Sequence, residues 1–153
     1  MNLDSIDVHI LKLLKENARA KASYISKEVG LSVSSVTERI RKLEENGVIQ
    51  AYTVLVDQKK IGNDVTALME VSLEHPKFYE EFSEIIEKTP CIVSCYYISG
   101  DFDFMLKILA PAEKLEEIHR TIKSFPGVSG NRTNVVLKSL KSGSTLLPEA
   151  AEE

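Results

Sequence analysis

Apolar residues in the first fifty positions recur at the three- and four-residue spacing of amphipathic helices. Asp4 or Ser5 can cap a first helix, which is expected to end near Asn17. The apolar stripe of this helix consists of Ile6, Ile10, Leu13 and Leu14. The pattern therefore predicts a helix that buries one face in a small helical domain.

Two further helices are predicted, with a glycine between them. The second covers about 22–29 and ends at Gly30, which supplies a left-handed cap. Its inward residues are expected to be Tyr24, Ile25 and Val29. Ser32 can cap a third helix that continues to about Asn46 and is closed by Gly47. The third helix has an apolar stripe made of Val36, Ile40 and Leu43.

After residue 63 the helical period gives way to the alternation that is typical of half-buried strands. Helices are predicted after Pro76 and Pro111, because apolar residues there recur with helical spacing. Strands are predicted over 64–74, 91–98, 102–110 and about 132–140. This β-α-β-β-α-β order indicates a ferredoxin-like domain, and the fold class of the whole chain is α+β.

The chain therefore divides into four segments. Residues 1–50 form the helical domain, 51–62 a strand-like hinge linker, and 63–141 the ferredoxin-like domain. Residues 142–153 are expected to be an acidic, flexible tail.

A short helix, a tight turn and a capped helix have the spacing of a helix-turn-helix motif. Its second helix, here the third of the chain, enters the major groove of double-stranded DNA. Projection of this helix places Glu45 with several DNA-contact candidates opposite the apolar stripe. Those candidates, on the outer face and its margins, are Ser34, Ser35, Thr37, Glu38, Arg39, Arg41 and Lys42. A plain three-helix bundle that contacts proteins is the alternative at this point.

Two of these side chains have chemistry suited to reading bases. Arg41 can donate to guanine or hold a phosphate, and Glu38 can accept from the amino group of cytosine. Glu38 can equally pair with Lys42 one helical turn away.

The strands of the second domain carry apolar residues at both parities. One set is Ile92, Ile98, Phe104, Leu106 and Ile108, and the other is Val93, Tyr97, Met105 and Leu109. A ferredoxin-like sheet has helices on one face only, so its other face needs a second cover. Sheet-to-sheet homodimerisation is the simplest one, and it would also supply two DNA-reading helices.

The segment 99–103, SGDFD, is the densest polar point between the apolar strands. Two carboxylates could do acid–base chemistry, but neither a nucleophile nor a metal-ligand cluster accompanies them, so we expect no catalytic residues. Backbone N–H groups at Gly100 with Asp101 or Asp103 could instead bind a small ligand. A plain turn is the third reading.

Composition adds limits to these assignments. The net charge is −4, which on its own argues mildly against nucleic acid. Residues 1–62, however, carry ten basic and eight acidic side chains, while 63–153 carry nine and fifteen. The acidity therefore belongs to the second domain and tail, and a mildly basic first domain predicts DNA binding through several linked copies.

No apolar run is long enough for a membrane span, and the first residues do not have the pattern of a signal peptide. We therefore expect a cytoplasmic protein with no membrane partner. Cys91 and Cys95 are too far apart along one strand for a disulfide, and the three histidines are scattered. We expect no metal site and no cofactor.

Several motifs, in order and with matching spacing, resemble the Lrp/AsnC (leucine-responsive, feast/famine) transcriptional regulators. The resemblance covers about 2–141. Its first half rests on LDSID at 3–7, ISKEVGLS at 25–32, VTERIRKLE at 36–44 and GVI at 47–49. Its second half rests on SGDFD at 99–103, PGV at 126–128, and Arg132-Thr133 leading into Val135-Val136. Lys21 is a departure, because a capping residue is common where the second helix of these proteins starts.

The resemblance implies a winged-type helix-turn-helix, a hinge strand, and a domain for effector binding and dimerisation. It implies homodimers that assemble into tetramers or octamers, regulated by an amino acid or related metabolite that binds between subunits. The positions that match this effector site are Tyr97, Ser99, Gly100, Asp101, Asp103, Thr133, Asn134, Val135 and Val136.

Two other functions are compatible with the same resemblance. Sirohaem decarboxylases look similar in both domains, and histidines would be expected to serve their tetrapyrrole site. Here His75 is placed at a strand end and His119 on the outer side of its helix, so we expect surface histidines instead. A DNA-compacting architectural protein is the third class, and we expect a sequence-specific regulator in preference to both.

Overall fold

The computed structural model describes residues 2–143 and 145–148. The chain divides into two compact units, a helical unit up to Leu55 that includes the segment from Lys141 onward, and a sheet unit, Val56–Leu140. The boundary after Leu55 lies inside the predicted linker 51–62.

Three helices build the helical unit: α1 (Ser5–Glu16), α2 (Ala22–Val29) and α3 (Val33–Glu45). Asp4 caps α1 in a reciprocal capping box with Asp7. Ser32 caps α3, and its hydroxyl oxygen accepts from the Ser35 N–H at 3.1 Å. Lys21 stands at the cap position of α2 and, in the described structure, makes no side-chain capping hydrogen bond. The three predicted helices are confirmed, as is the missing cap at Lys21.

The helical core differs from the predicted one on α2. Its buried residues are Ile10, Leu11, Leu14, Ile25, Val36 and Leu43. Tyr24, predicted inward, is 50% exposed, whereas Ser26 is buried and donates its hydroxyl to the Ser23 carbonyl. The reason is helical geometry, because Ile25, Ser26 and Val29 share one face with Ala22, and Tyr24 lies outside it.

Part of the predicted tail, 142–153, contacts the helical unit. Leu147 packs against the helical core, while its neighbour Leu146 is 98% exposed. Among the described residues of this segment, Leu147 is the apolar side chain that contacts the helical core. Residues 144 and 149–153 of the predicted tail lie outside the described residues.

The predicted strand-like hinge is irregular in this structure. Residues 50–57 have no regular secondary structure, and one 3₁₀ turn follows at Lys59–Ile61. Val54 and Leu55 are exposed. A strand requires a hydrogen-bonded neighbour, and none of the described segments supplies one to these residues.

Four antiparallel strands and two helices build the sheet unit. The strands are β1 (Val65–Leu73), β2 (Ile92–Tyr97), β3 (Phe104–Ala110) and β4 (Val128–Val135), in the order β2-β3-β1-β4. The helices are α4 (Tyr79–Glu87) and α5 (Leu115–Lys123). This is the predicted α+β architecture.

Both helices cover the same face of the sheet. Phe82 and Ile86 of α4 and Ile122 of α5 are buried there. The strand residues of this core are Ala67, Met69, Val71, Phe104, Leu106, Ile108 and Ala110. We call this the helix face and the opposite one the open face.

Two predictions about the strands need correction. Strand β4 ends at Val135, not near Leu140, because the last partner on β1 is Thr66, whose carbonyl accepts from the Val136 N–H. A register shift between Ile92 and Ser94 also reverses the parity of β2. Tyr97 is therefore paired with Phe104 and lies toward the helix face, not on the open face.

The open face is mixed, because charged residues stand among the apolar ones that the strand pattern predicted for a second face. Alternation from the buried residues places Glu70, Lys107 and Arg132 on it, beside partly buried Leu68 and Met105. Any cover for this face must therefore satisfy charges as well as bury apolar surface.

Candidate functional site

Helix α3 presents most of its surface to solvent. Only Val36 and Leu43 are buried, so its outer face is free to contact another molecule. At its first turn, the Ser32 hydroxyl lies 2.9 Å from the Ser34 hydroxyl and 2.8 Å from the Ser35 hydroxyl. Short hydroxyl side chains at a helix N-terminus leave room for a close phosphate, which the helix dipole also favours.

Arg39 has a different environment from the other candidates for DNA contact. Its Nη1 donates to Asp4 Oδ2 and to Asp7 Oδ1, both at 2.7 Å, and its side chain is only 29% exposed. Hydrogen bonds to Asp7 and Asp4 raise the pKa of Arg39. The guanidinium thus joins α3 to the start of α1.

Arg41 lies on the outer face between two glutamates of its own helix. Its Nη2 is 2.7 Å from Glu38 Oε1 and its Nε 3.0 Å from Glu38 Oε2, while its Nη1 donates to Glu45. All three side chains are about half exposed. The hydrogen bond from Arg41 lowers the pKa of Glu38. Lys42 Nζ is farther away, 3.9 Å from Glu38.

Thr37 and Tyr52 lie at the side of α3. The Thr37 hydroxyl donates to the Val33 carbonyl at 2.9 Å. The Tyr52 hydroxyl donates to Glu44 Oε1 at 2.8 Å, and burial followed by this hydrogen bond raises the pKa of Tyr52 to about 12. The segment after α3 is therefore fastened back to the helix.

The glycine-aspartate turn between β2 and β3 is built around Asp103. Its N–H donates to the Val71 carbonyl at 3.0 Å, and its Oδ2 accepts from the Leu73 N–H at 2.8 Å. Its carbonyl accepts from the Ile98 N–H at 2.8 Å. Asp103 is therefore a structural brace, whereas Asp101 is exposed. Gly100 has a φ of 136°, a backbone conformation that residues other than glycine rarely adopt.

The predicted effector residues fall into two separate groups in one chain. The turn, 98–103, adjoins β1 at Val71 and Leu73. The second group, 133–136, pairs with the earlier part of β1, at 66–69. At ~3.3 Å per residue, the β1 positions that the two groups contact are about 7 Å apart at the nearest, from Met69 to Val71, and about 23 Å at the farthest, from Thr66 to Leu73. Within one chain the two groups therefore adjoin different stretches of β1.

The two groups also differ in orientation. The Thr133 hydroxyl lies 2.9 Å from His119 Nδ1 of α5, on the helix face, and Asn134 alternates to the open face. His119 is thus partly buried and bonded, not the surface residue that was predicted. The Tyr97 ring lies 5.6 Å from that of Tyr79, in an edge-on arrangement.

Arg132 is a residue at the turn that is absent from the predicted site. Its Nε donates to Glu70 Oε2 at 2.5 Å, and its guanidinium lies 4.9 Å from the centre of the Phe102 ring. The hydrogen bond to Glu70 raises the pKa of Arg132, and the charge of Asp101 adds to this effect. Only the register of β4 against β1 places it here.

A separate cavity of about 570 Å³ lies at the other end of the sheet, where β3 meets α5. Its lining includes Cys91, Leu109, Lys114, Ile118 and Ile122, and the lining residues include none of the predicted effector positions. Burial raises the pKa of the Cys91 thiol. Among the described residues no helix is both long and apolar enough to cross a bilayer.

Comparison with known protein families finds one matching family in each half of the chain. The family described as winged helix-turn-helix DNA-binding matches residues 3–50, and the Lrp/AsnC ligand binding domain matches residues 66–146.

Two curated relatives are similar over nearly the full length. The HTH-type transcriptional regulator FL11 of Pyrococcus horikoshii is 39% identical over 145 residues, which cover 94% of this chain and 95% of FL11. The leucine-responsive regulatory protein of Escherichia coli is 34% identical over 150 residues, covering 95% of this chain and 92% of that protein.

A solved structure shares the fold. The transcriptional regulator NMB0573 in complex with L-Met, from Neisseria meningitidis, superimposes with a TM-score of 0.89 at 28% identity, covering 95% of this chain and 96% of that one. These matches, together with the exposed third helix and the glycine-aspartate turn, show that the chain belongs to the Lrp/AsnC family of DNA-binding transcriptional regulators.

Proposed function

We propose that α3 is the helix with which this regulator reads double-stranded DNA. The observation that carries the proposal is the free outer face of α3, held in place by the core behind it and by the Arg39 contacts to α1. The side chains assigned to DNA contact are Ser34, Ser35, Thr37, Glu38, Arg41 and Lys42. In this proposal the serines contact a phosphate near the helix N-terminus, while Glu38 and Arg41 contact base edges.

The test is the DNA affinity of Arg41→Ala, measured by fluorescence anisotropy on a duplex that the unmodified protein enriches from a random library. We expect weaker binding and a smaller salt slope, because one cationic contact is lost. Arg120→Ala, an exposed arginine of α5, is the matched control. Unchanged affinity and slope in Arg41→Ala would contradict the assignment of α3.

The glycine-aspartate turn supports a second part of the proposal, an effector site for an amino acid or a related small metabolite. Backbone N–H groups near Gly100, the exposed Asp101 carboxylate and the Arg132 guanidinium offer groups of both charges to a zwitterion. The relative NMB0573 carries L-Met in its solved structure, which supports this ligand class.

The separation of the two predicted groups supports a site shared between subunits. Because Thr133–Val136 and the turn adjoin different stretches of β1 within one chain, we assign the two groups at one ligand to different copies. We therefore assign 97–103 of one subunit and 133–136 of another to the site. Effector binding then alters subunit packing, and homodimers assemble to tetramers or octamers.

A thermal-shift screen of the amino acids tests the effector site. A ligand that binds only the folded protein raises its apparent stability. We expect one class of amino acid to stabilise the protein and Asp101→Asn to abolish that shift. Glu74→Gln, an exposed carboxylate elsewhere on the sheet unit, is the control. Absence of any stabilising amino acid would contradict the ligand class but leave the DNA-binding assignment intact.

A further inference from the structure

On the outer face of α3, two glutamates compete with DNA for the side chain of Arg41. Arg41 is bracketed by Glu38 three residues before it and Glu45 four residues after it. The contacts use Nε, Nη1 and Nη2, so every nitrogen of the guanidinium has a carboxylate partner on the same helix. Side chains at these spacings are neighbours on a helix surface, and the arrangement needs no other element.

The charges in this group do not favour DNA. Arg41 supplies one positive charge between two carboxylates, and Lys42 adds one further positive charge near Glu38. A patch without net positive charge gives little long-range attraction for phosphate. The glutamates engage three of the five guanidinium N–H groups, so a phosphate or a base must compete with them for Arg41.

Glu45 differs from Glu38 in what it can do at the DNA. Glu38 lies at the middle of the outer face, where a carboxylate can accept from a cytosine amino group. Glu45 is the last residue of α3, far from the N-terminal end that recognition helices direct at the bases. Glu45 therefore contacts Arg41 in the free protein but gains no contact with a base when DNA is bound.

We infer that Glu45 is a positioning residue that holds Arg41 on its own helix and lowers the DNA affinity of each copy of α3. This inference rests on the proposed role of α3. Its consequence is that binding depends on several helices acting together, because a weak single contact becomes strong only through linked copies. The affinity then follows the number of helices that the assembly presents.

The test compares Glu45→Gln with Glu16→Gln in the full-length protein. Both changes remove one exposed carboxylate at the end of a helix of the helical unit, but Glu16 is on α1. Affinity is measured for a random-sequence duplex and for the enriched duplex over a range of salt. We expect Glu45→Gln to bind both ~two- to five-fold more tightly than Glu16→Gln, the effect of releasing one exposed ion pair.

The same comparison in an Arg41→Ala background separates a specific contact from general charge. Without Arg41 the two glutamine variants should bind alike, since Glu45 has nothing left to hold. Equal affinities in the presence of Arg41, or an advantage of Glu45→Gln that persists in its absence, would overturn the inference. Failure of the proposed function is distinguishable, because Arg41→Ala alone would then leave DNA affinity unchanged.

Discussion

Arg39 on α3 and Asp7 on α1 form an ion pair that joins the two helices. Nη1 of Arg39 lies 2.7 Å from Oδ1 of Asp7, whose side chain is only 6% exposed. Asp7 also closes the capping box of α1 with Asp4. One guanidinium therefore stabilises a helix start and sets the position of α3 at once.

Loss of this contact should destabilise the helical unit. Arg39→Met keeps much of the side-chain volume but leaves the Asp7 carboxylate without its cation. We expect urea unfolding of the helical unit to lose ~1–3 kcal/mol, the cost of an unmade hydrogen bond to a charged group. Arg19→Met, at an exposed arginine after α1, is the control and should change stability little. Equal losses in both variants would contradict the structural role of Arg39.

A capping residue at the start of α2 should stabilise the helical unit. Lys21 makes no side-chain capping bond in the described structure, and its charge lies at the positive end of the helix dipole. We expect Lys21→Asp to raise the free energy of unfolding by ~0.5–1 kcal/mol in urea denaturation. Ser32→Ala, which removes the existing cap of α3, should lower it by a similar amount. A destabilised Lys21→Asp variant would show that the lysine has an unrecognised structural role.

Substitutions of the two aspartates in the turn should have different effects, one on stability and the other on the effector response. Asp103→Ala removes the acceptor of the Leu73 N–H and should lower the free energy of unfolding by ~1–2 kcal/mol. Asp101→Ala, at an exposed position, should leave the unfolding midpoint unchanged and weaken the effector response. The measurement is urea unfolding with and without the stabilising amino acid. A loss of stability in Asp101→Ala would contradict this division.

Tyr52 should make the stability of the helical unit depend on pH in the alkaline range. Its pKa is raised from the ordinary value of 10.0 to about 12 by burial and the Glu44 hydrogen bond, so folding favours the neutral phenol. Its contribution is complete below pH 10.0 and is lost as the pH rises toward about 12. The ultraviolet absorbance of tyrosinate reports this titration, and Tyr52→Phe identifies it among the other tyrosines.

A matched variant tests the hydrogen-bonded part of this shift. Glu44→Gln removes the negative charge beside the phenol and should move the pKa of Tyr52 back toward 10.0. An unchanged titration in Glu44→Gln would assign the shift to burial alone.

Adjacent leucines test the attachment of the C-terminal segment. Leu147 packs against the helical core, whereas Leu146 is almost fully exposed. We expect Leu147→Ala to lower the free energy of unfolding of the helical unit by ~1 kcal/mol, since part of its apolar surface returns to water. Leu146→Ala should have no effect. Equal effects in urea unfolding would contradict the packing of Leu147.

Local periodicity was sufficient for much of this fold. The three N-terminal helices and the β-α-β-β-α-β order follow from apolar spacing, serine and aspartate caps, and glycine stops, all of which act within a few neighbouring residues. The resemblance in motif order also indicated the family. Strand ends were less predictable, because β4 stops where β1 has no more partners, not where its own apolar pattern fades.

The sequence by itself determined, for the described residues, the five α-helices, the four strands of the sheet and the free face of α3, because those properties depend on short-range spacing. Tertiary structure decided how individual polar side chains are used. Arg39 turns to Asp7, Asp103 braces β1, and a bulge sends Tyr97 to the helix face. These outcomes depend on residues distant in the chain, such as Arg132 opposite Glu70. Only the packed register of helices and strands sets such distances.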